Sequence, residues 1–571
     1  MLDLDQETKK KFINLLKSKQ YSKLESEVSS IGNIDEQDPI LIMLYASSKA
    51  LNPMSKTDDL IEASRLFEKV YLIKKNSNHQ TPSNLEPLLN MIFLSFKTKI
   101  YRNVLPLALE AFEKNKNNEK LIEGLAIING RLANIKESIR YYKLLFQINE
   151  KRIISRIPFL TSLNYVSDES QEYYLRKCFE YTKILESDLI SEEQKIILNK
   201  NKNKNKNKKI KIAFLSSDLR KHSVSFFLKD LFLNIDKDIF EVIALSNLNK
   251  NKEDGTSEIL KNSINQWHMI SDRSDGEVIN LVKSLDVDIL IDLNGLTKGN
   301  RINVIKNRCA PVQICWLGYN NSTGLKNIDY LIADHNVIKK DEEGLYAEKI
   351  LYLPKIWNAH SLPTELPPIK KDGLVFSYGS FNNFKKISDD TVEVWSKIIE
   401  RSNSQIYLKN PQENVSLDLK ENILKKFIDR GVKKNKVIFL ETKNNTYDHL
   451  NLYNKIDLAL DTFPYPGVTT SFEAVLMGVP VLTMKGYNFN SRCGESININ
   501  LQMENFIAKN KDEYFEKAIL LQNKSDYLKE IRHTLRNKAL TSPLFDGKSF
   551  TKDFAEILKK IYAKHLDLNK D

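Results

Sequence analysis

From Ile210 onward the chain repeats a pattern that few folds accommodate: short apolar runs without polar alternation, each followed by a longer amphipathic segment. IKIAFLSSD (210–218), EVIALSN (241–247), VDILIDLNG (287–295) and VQICWLG (312–318) make one series. LVFSYGSF (374–381), SQIYLKN (404–410), KVIFLE (436–441), DLALD (457–461) and VPVLTM (479–484) make a second. A strand that is apolar on both faces has no side for water, so helices must cover both faces of its sheet. That is the arrangement of parallel, doubly wound α/β folds. The Pro-rich stretch LPTELPPIKKDG (362–373) separates the two series and reads as a hinge. Two Rossmann-like lobes are expected, over 210–366 and 367–571, with helices between Lys511 and Leu566 packed against them. A chain of 571 residues is in any case long for one core.

Residues 1–198 read as helix after helix. Tyr101/Ile135, Leu105/Ile139 and Ala108/Tyr142 recur at a spacing of 34 residues, the length of a tetratricopeptide (TPR) unit; a plain helical bundle is the alternative. Either offers a groove for a partner rather than chemistry. NKNKNKNKNKK, residues 199–209, is a solvated linker with nothing to bury. It holds six lysines, half of the net charge of +12, and no basic block lies within a folded segment, so no nucleic-acid partner is expected. Cys178, Cys309, Cys315 and Cys493 have neither CxxC nor zinc-finger spacing and suit free thiols. The N-terminus lacks an apolar signal region and no apolar run is long enough to span a bilayer, so a cytoplasmic protein without membrane contact is expected.

Four segments at strand ends carry groups suited to chemistry. SSDLRKHSVSFF (216–227) puts His222 between a strand and the next helix, where a near-neutral imidazole can act as base or orient a substrate. DLNGLTKG (292–299) and APVQICWLGYNNSTG (310–324) bring glycines to strand ends, allowing close backbone approach. GSFNNFKKIS (379–388) offers Lys386, an ammonium able to neutralise charge on a leaving diphosphate. LDTFPYPGVTTSFEA (460–474) breaks an apolar run with Pro and Gly and opens a helix at Thr469 and Thr470. Thr470-x-x-Glu473 has capping-box spacing, and a helix start after a strand is a ready anion site. Taken alone, His222 is also an ordinary loop histidine and Lys386 an ordinary surface lysine. Asp286-x-Asp288 enters the buried strand DILID and reads as strand-edge polarity, not a metal site. No P-loop or complete GxGxxG is present, which argues against ATPase and dehydrogenase chemistry.

In order along 210–565, these segments resemble the O-GlcNAc transferase (SPINDLY-like) family of inverting glycosyltransferases. SSDLRKHS resembles its SSD-x-x-x-H segment, APVQICWLGYNNSTG its APIQ-x-x-WLGYPGTSG, and SFNNFKKI its FNQ-x-x-K-I. LDTFPYPGVTTSFEA with GVPV resembles its LDT-x-P-x-x-G-x-TT-x-x-(D/E) block, and SRCGES (491–496) and SPLFD (542–546) continue the likeness. The resemblance implies a GT-B fold of two Rossmann-like lobes behind N-terminal TPR-like helices. It implies transfer of N-acetylglucosamine from UDP-GlcNAc to Ser/Thr hydroxyls of acceptor proteins that bind the helical repeats, with inversion and no metal or other cofactor.

By the same resemblance His222 is the active-site His and Lys386 the catalytic Lys at the diphosphate. Asn383 would lie near the phosphates, His449 against the uracil, Thr469 and Thr470 as hydroxyl donors to the diphosphate, and Glu473 on the ribose. Thr297, Leu317 and Gly318 would line the sugar side. The chain departs from the pattern at Asn320 and Asn321, which replace Pro and Gly in a sugar-proximal loop, and at Thr446 and Val468. Two further readings stand beside this one: the same fold with another donor, such as GDP-fucose or another UDP-sugar, and a helical-repeat scaffold with an inactive lobe.

Overall fold

Both apolar series fold as parallel sheets, each with its strand order reversing at the centre. The computed structural model describes residues 5–76, 82–187, 208–370, 375–411, 415–443 and 445–568, so most of the 199–209 linker lies outside the described residues. The chain forms two units, one of Met1–Ser155 with Asn414–Ile423 and one of Arg156–Glu413 with Leu424–Asp571.

The first unit is helical. Helices Glu119–Arg131 and Ile135–Ile148 pack on each other, with the Ser138 hydroxyl donating to the Ala126 carbonyl at 2.7 Å. The 34-residue pattern marks one buried face: Tyr101, Ala108, Ile135, Ile139 and Tyr142 are buried and Leu105 is half-buried. Asp418, from the inserted segment, is buried and accepts the Tyr101 and Arg102 backbone N–H groups ahead of helix Val104–Lys114.

In the second unit, β1 (Ile210–Ser216), β2 (Phe240–Ser246), β3 (Gln266–Met269), β4 (Ile289–Asp292), β5 (Val312–Cys315), β6 (Tyr330–Asp334) and β7 (Lys349–Leu353) form a sheet of order β3-β2-β1-β4-β5-β6-β7. Every pairing in it is parallel. The second sheet has β8 (Ser377–Ser380), β9 (Gln405–Leu408), β10 (Val437–Phe439), β11 (Leu458–Leu460), β12 (Val481–Met484) and β13 (Ile507–Ala508) in the order β10-β9-β8-β11-β12-β13. It too is parallel throughout. The nine apolar runs supply the core strands, while β3, β6, β7 and β13 fall outside them.

In each sheet the chain leaves the central strand in one direction and returns beyond it in the other, which opens a crevice at the carboxyl ends of two neighbouring strands. In the first sheet these strands are β1 and β4, and in the second β8 and β11. Helix Gly547–Leu568 crosses back to the first lobe and packs on helix Ser223–Asn234, with Phe554 against the fully buried Trp316 at 4.7 Å between ring centroids. A helical pair, Arg156–Leu163 and Gln171–Leu185, also belongs to this unit and bridges its lobes. The Gln171 amide donates to Asn321 at 2.7 Å and its carbonyl accepts from Asn488 at 2.9 Å.

Candidate active site

Four loops meet the two crevices: those after β1, β4, β8 and β11. After β1, His222 caps helix Ser223–Asn234, its Nδ1 accepting the Val224 N–H at 3.3 Å. Its Nε2 lies 3.9 Å from an Asp218 carboxylate oxygen. Burial lowers the His222 pKa and the Arg220 charge lowers it further, while Asp218 opposes them. With its Nδ1 lone pair spent on a backbone donor, the neutral ring carries its proton on Nε2.

The loop after β4 is tied to this segment by Asn294. Its amide donates to Ser217 Oγ, an Asp218 carboxylate oxygen and Thr297 Oγ1 at 3.0, 3.1 and 3.3 Å. Beneath it Asp292 accepts the Asn294 and Gly295 N–H groups, and burial pushes its pKa up to about 7. Gly318 follows β5, and a Cβ there would stand 2.0 Å from the Leu293 carbonyl oxygen, so only glycine lets the two strand ends approach. The preceding Leu317 takes a positive φ of 77°, a conformation that costs a branched side chain energy and persists only where neighbours hold it. Thr297, Leu317 and Gly318 thus meet at adjacent strand ends.

After β8, Asn383 caps a single helical turn, Phe384–Lys386, by accepting the Lys385 N–H at 3.0 Å. That turn delivers Lys386 to the loop after β11, where its ammonium donates to the Pro466 carbonyl at 2.7 Å and sits 3.9 Å from the Tyr465 ring centroid. Burial pulls the Lys386 pKa down to about 8, against the pull of Asp461. Helix Thr469–Leu476 starts beside this contact.

The helix start corrects one expectation. Val468, not a threonine, stands at the cap, and no side chain caps the helix. The Thr470 hydroxyl instead donates to Asn382 at 2.7 Å, and Glu473 accepts from His449 Nε2 at 2.8 Å and the Tyr453 hydroxyl at 3.1 Å. The capping box fails because both members have stronger partners: a buried amide for Thr470 and a histidine for Glu473. The first-turn amides are left without a side-chain acceptor, the state in which a helix N-terminus takes an anion. Burial works to raise the Glu473 carboxyl, but His449, His360 and Lys409 outweigh it and hold its pKa below the usual carboxylate value.

The structure therefore brings Lys386, Thr469, Thr470, Asn383, His449 and Glu473 to the second crevice, and His222, Thr297, Leu317 and Gly318 to the first. The two approach where the helices that follow them touch, with Phe227 and Phe472 at 5.4 Å between ring centroids. Sequence reasoning passed over several residues of the second crevice. Asn382 joins the loops after β8 and β11, donating to Asp461 and Thr462 at 3.0 and 3.2 Å while it accepts from Thr470. Lys409, at the end of β9, is 2% exposed, and burial lowers its pKa while Glu473 opposes. The buried His360 lies among Phe226, Phe227, Phe472 and Phe545.

Asp286 and Asp288, weighed above as a metal motif, have structural partners. Asp286 pairs with Lys208 at 2.8 Å and Asp288 accepts the Lys211 N–H at 2.9 Å. Among the described residues no group of three or more His, Cys, Asp or Glu side chains is arranged to hold a metal ion. Among them, also, no helix is long and apolar enough to cross a membrane.

Residues 147–361 and 365–554 match the model of glycosyl transferase family 41. The chain is 30% identical over 365 residues to the probable UDP-N-acetylglucosamine–peptide N-acetylglucosaminyltransferase SPINDLY of Solanum lycopersicum, covering 62% of this chain and 39% of that one. It is 26% identical over 369 residues to the probable UDP-N-acetylglucosamine–peptide N-acetylglucosaminyltransferase SEC of Arabidopsis thaliana, covering 62% and 37%. The chain thus spans about two-fifths of the length of the curated relatives it matches. Among solved structures, a mutant of the Thermobaculum terrenum O-GlcNAc transferase superposes with a TM-score of 0.75 at 22% identity, covering 93% of this chain and 99% of that one, which shows the fold.

Proposed function

The chain belongs to glycosyl transferase family 41, and from the site this fold builds we propose that it transfers N-acetylglucosamine from UDP-GlcNAc to Ser or Thr hydroxyls of proteins, with inversion. One observation carries the reading: an ammonium, an uncapped helix start and a carboxylate–imidazole pair converge at the switch point of the second sheet. Each suits one part of a nucleoside diphosphate sugar. Lys386, the Thr469 hydroxyl and the amides at Thr469 and Thr470 fit the diphosphate, with Asn383 beside it; the Thr470 hydroxyl is spent on Asn382. Glu473 fits the ribose hydroxyls and His449 the face of the base. Thr297, Leu317 and Gly318, on the opposite lobe, fit the sugar. In this reading residues 1–198 bind the acceptor protein, 199–209 link, 210–366 and 367–571 are the two lobes, and the protein works in the cytoplasm.

In the reaction the acceptor oxygen attacks the anomeric carbon while the bond from that carbon to the diphosphate oxygen breaks on the far side, and the hydroxyl proton leaves to solvent. Charge grows on the leaving diphosphate, and Lys386 and the helix start are the preorganised positive groups that meet it, the role a divalent metal plays elsewhere. His222 serves as the orienting group: Nδ1 accepts from Val224, which leaves Nε2–H as the donor available to the acceptor oxygen. Protonation would put a second N–H against the Val224 donor, so charging His222 breaks the cap. Transfer is expected to fall as pH drops through a midpoint below the ordinary histidine value of 6.5, the direction burial gives. His222→Asn, which can still cap, should remove this acid limb and lower kcat by about 10²-fold. An unchanged limb would take His222 out of the mechanism.

The donor assignment is tested by thermal shift of the purified chain with UDP-, GDP- and dTDP-sugars, with and without Mg²⁺. UDP-GlcNAc should stabilise it equally in both conditions, and at one hundred times Kd the gain is about 2.7 kcal/mol. His449→Ala should weaken UDP binding by about tenfold, the loss of one base contact. A preference for GDP would move the chain to a fucose-type donor, and no shift with any nucleotide would leave the scaffold reading.

A further inference from the structure

Lys386 does not stand alone in its loop. The Tyr465 ring lies 3.9 Å from its ammonium, and the half-buried Tyr165 lies against Tyr465 at 5.0 Å between centroids, the planes inclined by 51°. Tyr165 belongs to neither sheet; it follows helix Arg156–Leu163 in the helical pair that bridges the lobes. Its neighbours are pinned on both sides. The Asn164 amide donates to the Tyr319 hydroxyl at 3.0 Å and accepts from Asn321 at 2.8 Å, while its backbone carbonyl accepts from Asn490 at 3.2 Å. The Val166 carbonyl accepts from the Tyr487 hydroxyl at 3.0 Å. Asn164 therefore holds both lobes, and Tyr165 is placed by backbone that neither lobe alone controls.

We propose that Tyr165 is a positioning residue for Lys386: through the Tyr465 ring it fixes the ammonium over the Pro466 carbonyl and keeps water from its outer face. The catalytic role of Lys386 is taken from the function proposed above, but the packing chain Tyr165–Tyr465–Lys386 is not. The Asn321 that ties down Asn164 stands where the family pattern has glycine, so here a side-chain amide network locks the bridge. The groups facing Lys386 are Asp461, Cys493 and the Tyr465 ring, and Tyr319 and Cys493 lie close to Tyr465. A change at position 165 touches Tyr465 alone of these and leaves Asp461 and Cys493 in place. It alters only how tightly Tyr465 is held and how much water reaches the lysine.

The test is competitive labelling of Lys386 with acetic anhydride across pH, read by mass spectrometry on the full chain without donor. In the natural protein the amine should become reactive near pH 8, and in Tyr165→Ala the profile should move toward the ordinary lysine value of 10.5. Tyr165→Phe keeps the ring and should leave the profile in place. Transfer by Tyr165→Ala should fall about tenfold in kcat with donor KM changed less, the mark of a misplaced catalytic group. Tyr165→Leu, which keeps an apolar side chain of intermediate size but not the planar ring, covers the case in which the alanine variant fails to fold. An unchanged labelling profile in both the Ala and Leu variants overturns the proposal. Labelling needs no nucleotide, so a chain that failed to bind UDP would lose the function proposed above and still decide the role of Tyr165.

Discussion

Lys386→Ala should lower the transfer rate by about 10³-fold while leaving UDP affinity within about tenfold. The difference follows from where the ammonium sits. In the free protein it donates to the Pro466 carbonyl and rests on Tyr465, so it is held before any donor arrives and needs no reorganisation as charge develops. In the function proposed above, ground-state affinity is shared with the helix start, Glu473 and His449, whereas the charge that appears only at bond breaking falls on Lys386. Lys386→Arg should rescue little. A planar guanidinium cannot occupy the same point 3.9 Å above Tyr465 and 2.7 Å from a carbonyl with the geometry of a compact ammonium. The pH profile gives a second check. With a pKa near 8, Lys386 loses its charge as pH rises through that value, so kcat/KM should show a basic limb there. Bound diphosphate raises the pKa, so the limb in kcat should lie higher. A Lys386→Ala variant with full transfer activity would remove the leaving-group role altogether.

The strands that build the two crevices were legible because burial on both faces leaves an unbroken apolar run. β1, β2 and β4 are such runs, and so are β11 and β12. The strands that escaped are mostly at edges. QWHM in β3 is half-buried along its whole length, KILYL in β7 ends buried only at Leu353, and β13 has two residues. With one flank open to water, such strands need no apolar run to exist. The site divides in the same way. Residues that follow strands, such as Lys386 and His222, could be found by position, but partnerships across loops could not. Asn382 and Asn383 are adjacent and chemically identical, yet Asn382 joins the loops after β8 and β11 while Asn383 only caps a turn. Thr470 and Glu473 have the right types and spacing for a capping box, and tertiary partners claim both. Nothing near Tyr165 marks it, since its role arises only when the helical pair folds against Tyr465.

Asp461→Ala should be among the most damaging single changes in the second lobe, costing about 4 kcal/mol, because it strands several buried donors at once. The carboxylate is 1% exposed, and one oxygen accepts from Asn382 Nδ2, Thr462 N and Gly467 N at 3.0, 3.0 and 2.7 Å. The other accepts from Thr483 Oγ1 at 2.9 Å. These bonds tie the loop after β8, the turn before helix Thr469–Leu476 and strand β12 to one point. Alanine leaves the donors dry and frees the Pro466–Gly467 segment that holds Lys386. Asp461→Asn should behave differently. The amide oxygen keeps the three bonds on its side, and the Thr483 hydroxyl can turn to accept from the new NH₂ group. What the amide lacks is a titration. Burial raises the Asp461 pKa from 3.8 to about 6, so the folded state holds its proton more tightly than the unfolded chain does. Stability from that proton is therefore present below 3.8 and lost as pH rises to about 6, a change of about 3 kcal/mol. Thermal midpoints measured at pH 3.5 and pH 7.5 should show Asp461→Asn gaining on the natural protein as pH rises, while Asp461→Ala is destabilised at both. The loss of a carboxylate beside Lys386 should also move the basic limb of transfer below pH 8 in the Asn variant. A parallel pH response in the Asn variant and the natural protein would mean that Asp461 carries its charge as freely as an exposed carboxylate, and that the turn holding Lys386 is fixed by something else.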